Sequence, residues 1–199
     1  MKQIRKTITK AEIAAMPKVL FPGRIFVIYT ESEAEKAVAY LKDQRIVGVD
    51  TETRPSFKRG TTHKVALLQI STQDTCFLFR LNRIGMPDSL QEFLMSDTLK
   101  IGLSLKDDFN SLRKREDVHP DRGNWIELQD YVGRFGIADR SLQKNLRQFV
   151  WPEDFKKPAS FQLGGGGAQR GTETICSHGC VGLCGNLQLP DGIGTYGRL

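Results

Sequence analysis

The chain has 199 residues, a formal net charge of +6 and 4 Cys. This length is enough for one domain with its own core, and so few Cys exclude a disulfide scaffold. No apolar run is long enough to span a membrane, and the basic stretch from Met1 to Lys6 lacks the apolar core of a signal peptide. We therefore expect a cytoplasmic protein with no membrane association, and its positive charge weakly favours a polyanionic partner.

The predicted elements alternate between β-branched or aromatic runs, which favour strands, and segments with apolar residues at helical spacing. In chain order they are a strand at 24–29, a helix at 33–42, strands at 45–50, 65–70 and 75–79, a helix from 89, a strand at 100–104, and helices at 107–114, at 127–135 and from 141. The second to fourth strands read as an antiparallel meander, with a hairpin turn before the fourth. This order predicts an α/β fold with a mixed sheet flanked by helices.

Capping residues predict where several helices begin. Residues 1–24 form an N-terminal arm in which Thr9 caps a short helix. Ser32 and Glu35 have the spacing of a capping box for the helix that follows. Ser89 is the predicted cap of the next long helix.

Two carboxylates follow the apolar strand at residues 45–50. Side chains alternate faces along a strand, so Asp50 and Glu52 project to the same side. A divalent cation such as Mg²⁺ would compensate two like charges there, because it prefers carboxylate oxygens. The same pattern, taken alone, is also that of an ordinary solvated strand end before a Pro turn.

A second acidic position, Asp107 and Asp108, follows the short strand at 100–104 and opens a helix. A carboxylate presented there can lie in a cleft beside Asp50 and Glu52. Taken alone, either aspartate is better explained as an ordinary first-turn residue that stabilises the helix dipole.

Together these segments resemble the DEDD 3′–5′ exonucleases, and within them the RNase D and Werner-type branch. The resemblance covers residues 24–144 and rests on Val47-Gly-Val-Asp50-Thr-Glu52, Val65-Ala-Leu-Leu-Gln-Ile-Ser and Lys100-Ile-Gly-Leu-Ser-Leu-Lys-Asp-Asp108-Phe. It implies an RNase H-like (DnaQ-like) fold. The second motif then falls on Asp108 rather than Asp107, because the family places a Leu four residues later and Leu112 fits.

The resemblance also implies a 3′–5′ exonuclease that cleaves phosphodiester bonds with two divalent ions, Mg²⁺ or Mn²⁺. Asp50 would bridge the ions, Glu52 would complete one site, and Asp108 would hold the other through water. The expected substrate is a single strand or a nucleic-acid 3′ end, held in a basic groove. The candidate groove residues, each of which is otherwise a solvated charge, are Lys58, Arg59, Lys106 and Arg113.

The family's third motif, a Tyr or His followed by a fourth carboxylate, is missing after residue 140. Regular patterning stops after Lys144, and more than half of the chain's 19 Gly lie beyond it. Back-translation in the frame one nucleotide later permits a family-like sequence, including Y-A-A-T-D across Ile175 to Cys180. We therefore expect a frameshift after Lys144, missing or replaced C-terminal helices, and three regions: the arm at 1–24, a truncated exonuclease domain at 25–148 and a disordered out-of-frame tail at 149–199.

Two alternatives remain open at this point. One is a non-catalytic nucleic-acid-binding protein that retains the exonuclease fold. The other is a metal module in the tail, where three Cys and one His lie close in sequence. The frameshift accounts for the same four residues as by-products of other codons: Cys176, His178, Cys180 and Cys184.

Overall fold

The computed structural model describes residues 7–9, 11–12, 21, 23–53 and 63–138. Several predictions lie outside these residues: most of the arm at 1–24, the predicted helix from Ser141, the tail at 149–199 with its Cys cluster, and both Lys58 and Arg59. Among the helices that are described, none combines the length and the apolar character needed to cross a bilayer.

The described fold contains six strands and five helices, and one 3₁₀ turn at Pro120–Arg122 lies between the last long helix and the last strand. They are β1 (Arg24–Ile28), α1 (Glu31–Lys42), β2 (Ile46–Thr53), β3 (Val65–Ser71), β4 (Thr75–Phe79), α2 (Leu81–Ile84), α3 (Asp88–Leu94), β5 (Leu99–Gly102), α4 (Leu105–Arg115), β6 (Trp125–Glu127) and α5 (Leu128–Gly133).

The strands form one mixed sheet in the order β1-β4-β3-β2-β5-β6. β2, β3 and β4 pair antiparallel, which confirms the predicted meander. β1 runs parallel to β4, and β5 runs parallel to both β2 and β6. Because β2 and β5 are parallel neighbours, their carboxyl ends meet at one edge of the sheet, and this brings the first and second acidic segments together.

Apolar side chains cover both faces of the sheet, which explains why β3 and β4 read as continuous apolar runs rather than alternating ones. One face packs against α1 and α3 through Leu41, Leu90 and Phe93. The other face carries a second cluster that includes Leu67 and Leu128. Each fully buried side chain of this size contributes roughly 1.5–3 kcal/mol, so the helices are held on the sheet mainly by burial.

Helix starts follow capping chemistry, but not always at the predicted residue. The Thr9 hydroxyl accepts the Glu12 backbone N–H at 3.2 Å, as predicted for the short helix in the arm. The capping box of α1 is formed by Thr30 and Glu33 rather than by Ser32 and Glu35. Both pairs satisfy the spacing rule. The capping box forms at Thr30 and Glu33 because the Glu33 carboxylate accepts two backbone N–H groups, those of residues 29 and 30.

Two further predictions need correction, and one helix was not predicted. Helix α3 begins at Asp88 after Pro87, so Ser89 lies inside its first turn and does not cap it. The predicted helix at 127–135 is instead the strand β6 followed by the shorter α5. The short helix α2 was not predicted, and it has no side-chain cap to reveal it.

Candidate active site

The first half of the site is the end of β2. Asp50 is half-buried and Glu52 is exposed, two positions apart on the strand. In the antiparallel pairing with β3, Asp50 lies opposite Gln69 and Glu52 lies opposite Leu67, before a register shift at Thr53. The two carboxylates therefore share one face of the sheet, as predicted.

The second half of the site is the first turn of α4. Asp107 is exposed, whereas Asp108 is half-buried. The Thr51 hydroxyl donates a hydrogen bond to the Asp108 carboxylate, with 2.5 Å between Oγ1 and Oδ1. This contact ties α4 to β2 across 57 residues of sequence, and it places Asp108 rather than Asp107 beside the strand end.

The start of α4 is held by groups from outside the helix. Ser104 precedes it in the left-handed region, with φ of 63°, and its side chain provides no cap. The Glu127 carboxylate at the end of β6 accepts the Ser104 N–H at 3.1 Å and the Leu105 N–H at 2.8 Å. A non-glycine residue in this region costs about 1 kcal/mol, so the carboxylate both caps the helix and stabilises a strained turn.

Burial raises the pKa of both half-buried aspartates. Desolvation, with a smaller contribution from Glu52, raises the pKa of Asp50 to about 6. Desolvation, with contributions from Asp50 and Glu127, raises the pKa of Asp108 to about 7 in spite of the opposing Thr51 hydrogen bond. Desolvation also raises the pKa of Glu52. Like charges therefore add to the effect of burial: Glu52 disfavours ionisation of Asp50, and Asp50 disfavours ionisation of Asp108.

Carboxylate oxygens such as these are the ligands that a divalent cation such as Mg²⁺ takes. Among the described residues, none of the salt bridges involves Asp50, Glu52 or Asp108. In the same residues, no three His, Cys, Asp or Glu side chains are grouped closely enough to enclose a metal by themselves. The arrangement is that of an open carboxylate site, and Mg²⁺ is usually bound in this way, with one or two carboxylates while water and substrate phosphate supply the other ligands.

The predicted basic groove is represented by only two described residues. Lys106 is exposed in the first turn of α4, but it lies two positions from Asp108 and so projects from a different face of the helix. The Arg113 guanidinium is paired with the Asp121 carboxylate at 2.5 Å and also contacts Asn110. In the described part of the chain, no contact holds either basic side chain toward the carboxylates of the site.

Sequence reasoning missed Thr51 and Glu127. Thr51 stands between the two carboxylates of the first motif, and strand alternation alone would turn it to the opposite face. Glu127 was assigned to a helix because the three-residue strand β6 is too short for an alternating pattern. Ser104 occupies the N-cap position of α4, so the sequence alone predicts a local cap; only the Glu127 contacts in the folded chain show that the cap comes from elsewhere.

Comparisons with known proteins find relatives of similar sequence. The chain is 31% identical over 117 residues to a 3′-5′ exonuclease of Arabidopsis thaliana, which covers 52% of the chain and 41% of that protein. It is 29% identical over 135 residues to the bifunctional 3′-5′ exonuclease/ATP-dependent helicase WRN of Mus musculus, covering 64% of the chain and 9% of that protein. The chain therefore spans less than half the length of either relative.

Among solved structures, the chain is similar to the EXD2 exonuclease domain soaked in Mn. The TM-score is 0.48 at 22% identity, and the match covers 56% of this chain and 59% of that one. A sequence model of the 3′-5′ exonuclease family matches residues 25–145, which is more than half of the chain. The resemblance expected from the motifs is thereby confirmed: the chain belongs to the 3′-5′ exonuclease family.

Proposed function

We propose that this chain derives from an enzyme that removes nucleotides from the 3′ end of single-stranded nucleic acid with Mg²⁺ or Mn²⁺. The observation that carries the proposal is the meeting of Asp50 and Asp108. They come from separate elements, they are both half-buried, and the Asp50 charge disfavours ionisation of Asp108. Such a pair is a functional-site candidate on physical grounds, and family membership supplies the reaction class.

In this proposal Asp50, Glu52 and Asp108 hold the divalent ions. The ions would supply an activated water nucleophile and stabilisation of the leaving oxygen. The protein's own contribution is orientation. Thr51 holds the Asp108 carboxylate by its hydroxyl, and Glu127 holds the helix turn from which Asp108 projects. Because the pKa of Asp108 is raised to about 7, cation binding near neutral pH would release a proton from this carboxyl group.

The same proposal includes reduced turnover in the chain as written. The family match ends at residue 145, next to the position where we place a frameshift, after Lys144. The third motif of the family would follow that position, and its tyrosine and fourth carboxylate are absent from the written sequence. The remaining carboxylates are then sufficient for weak cation binding but not for efficient hydrolysis.

The test is cleavage of a 3′-labelled single-stranded oligonucleotide with Mg²⁺ or Mn²⁺. We expect little or no release of nucleotides by the written chain, and clear 3′–5′ release by a chain whose sequence after Lys144 is restored in the shifted frame. Asp50→Asn in the restored chain should abolish this release. Full activity of the written chain would contradict the frameshift argument, and an inactive restored chain would contradict the assignment of the reaction.

The early end of the family match also favours a second candidate, a non-catalytic nucleic-acid-binding protein. Such a protein would retain the sheet and bind a single strand without cleaving it. This candidate would be supported over the enzyme if the restored chain shows no turnover and still binds a labelled oligonucleotide after Asp50→Asn. Parallel assays on DNA and RNA strands would identify the sugar that is accepted, because only RNA offers a 2′-OH contact.

A further inference from the structure

Gln69 is a buried polar side chain that lacks hydrogen-bond partners. It is 0% exposed in the centre of β3. Neither its Nε2 nor its Oε1 has a hydrogen-bond partner in the described part of the chain. Most buried side-chain amides are satisfied by protein or ordered water, so each exception needs an explanation.

The strand register places this amide beside the candidate metal site. Gln69 is the direct partner of Asp50 on β2 and of Leu78 on β4. Directly opposite residues of an antiparallel pair have their Cβ atoms about 5 Å apart and project from the same face. The Gln69 side chain is therefore a cross-strand neighbour of the Asp50 carboxylate, while its other neighbours, Leu67 and Leu78, offer only apolar surface.

We propose that Gln69 is a positioning residue whose amide N–H donates to the Asp50 carboxylate when that carboxylate holds a divalent cation. The inference rests on the proposed function, because it presumes a cation at Asp50. It explains why an amide stands where an apolar residue would pack better, and why it lies opposite that one carboxylate. Groups that hydrogen-bond to a metal's ligands orient those ligands and tune the affinity for the metal.

The chain offers a matched comparison for this role. Ser89 on α3 is the other described residue with a buried side-chain atom that has no hydrogen-bond partner. Its neighbours on α3, Leu90 and Phe93, belong to the apolar cluster on the opposite face of the sheet. If unpartnered polar atoms in this fold were only packing irregularities, Gln69 and Ser89 would behave alike when replaced.

The experiment measures Mn²⁺ binding to the full chain, without nucleic acid, by electron paramagnetic resonance of the free ion. The variants are Gln69→Met, which keeps the length of the side chain and removes the amide, and Ser89→Ala. We expect Gln69→Met to weaken Mn²⁺ binding by about 10–100-fold and Ser89→Ala to leave it unchanged. In EDTA, the unfolding midpoint of Gln69→Met should equal or exceed that of the unaltered chain, because a buried group without partners has been removed.

Different results identify which idea fails. If the unaltered chain does not bind Mn²⁺ at all, both the proposed function and this inference are overturned. If the unaltered chain binds Mn²⁺, Asp50→Asn abolishes this binding and Gln69→Met leaves it intact, only the inference about Gln69 is overturned. If Gln69→Met fails to fold, Gln69→Asn retains the amide but withdraws it by one methylene, and its normal Mn²⁺ affinity would likewise overturn the inference.

Discussion

Asp107 and Asp108 are adjacent on α4, but only the Asp108 carboxylate lies in the candidate site, whereas Asp107 is exposed to solvent. The folded chain raises the pKa of Asp108 from 3.8 to about 7, chiefly by burial. The folded state therefore holds this proton more tightly than the unfolded state does. Its contribution to stability is fully present below the unfolded pKa and is lost as the pH rises through about 7.

We expect Asp108→Asn to remove most of this pH dependence from the metal-free protein. Between about pH 5 and pH 8 the unaltered chain should lose on the order of 2–4 kcal/mol of unfolding free energy through this group, and the variant should not. Urea unfolding in EDTA at the two pH values measures the difference. Asp107→Asn is the control, since that neighbour is exposed, and equal effects of the two variants would contradict the assigned burial.

Thr51 provides a second residue-scale prediction, because its hydroxyl is the hydrogen-bond donor to Asp108. Thr51→Val keeps the branched shape and removes the donor, so we expect the carboxylate to be less well oriented and Mn²⁺ binding to weaken by about tenfold. Thr51→Ser keeps the donor and should bind Mn²⁺ almost as the unaltered chain does. An equal loss in both variants would indicate a packing effect of the missing methyl group rather than a hydrogen bond.

The element that most directly controls the site is the first turn of α4, and its cap comes from a different strand. Glu127→Ala removes the acceptor for the Ser104 and Leu105 N–H groups. We expect a loss of about 1–2 kcal/mol of unfolding free energy, together with faster hydrogen exchange of these two amides. Glu35→Ala, on the exposed side of α1, should change stability by less than about 0.5 kcal/mol. Unchanged exchange at Ser104 would contradict the capping role.

Elements with strong local patterns could be predicted from sequence, and those defined by distant partners could not. The β2–β4 meander follows from β-branched runs and a polar turn, all within one stretch of chain. β6 is only three residues long and exists because Trp125–Glu127 pairs with Lys100–Gly102, which no local pattern reveals. The α1 cap was placed two residues late because two overlapping capping boxes were possible, and only the contacts of Glu33 distinguish them.

The candidate site divides in the same way. The acidic residues Asp50 and Asp108 could be named from motifs, because order and spacing along the chain carry that information. The groups that support them, Thr51 and Glu127, act through contacts between segments far apart in sequence. The basic residues were the weakest part of the prediction, because Arg113 already has an acidic partner on the surface.

On the scale of the whole molecule, the described fold ends at residue 138 with Val132 and Ile137 packed in the second apolar cluster. We propose that the written sequence after Lys144 is out of frame, and such a sequence has no selected complementarity to that cluster. Deletion of residues 149–199 should then change the unfolding free energy by less than about 0.5 kcal/mol. Urea unfolding of the full and shortened chains measures this difference.

The chain restored in the shifted frame is the necessary comparison. Its C-terminal sequence would have been selected together with the sheet. We therefore expect its unfolding free energy to be well above that of the unaltered full chain and of the chain without residues 149–199. Zinc and iron analysis of the purified full chain should find neither metal in stoichiometric amount. A large loss of stability on deletion of the tail, or stoichiometric zinc lost on Cys180→Ser, would show instead that the tail is a folded part of the protein.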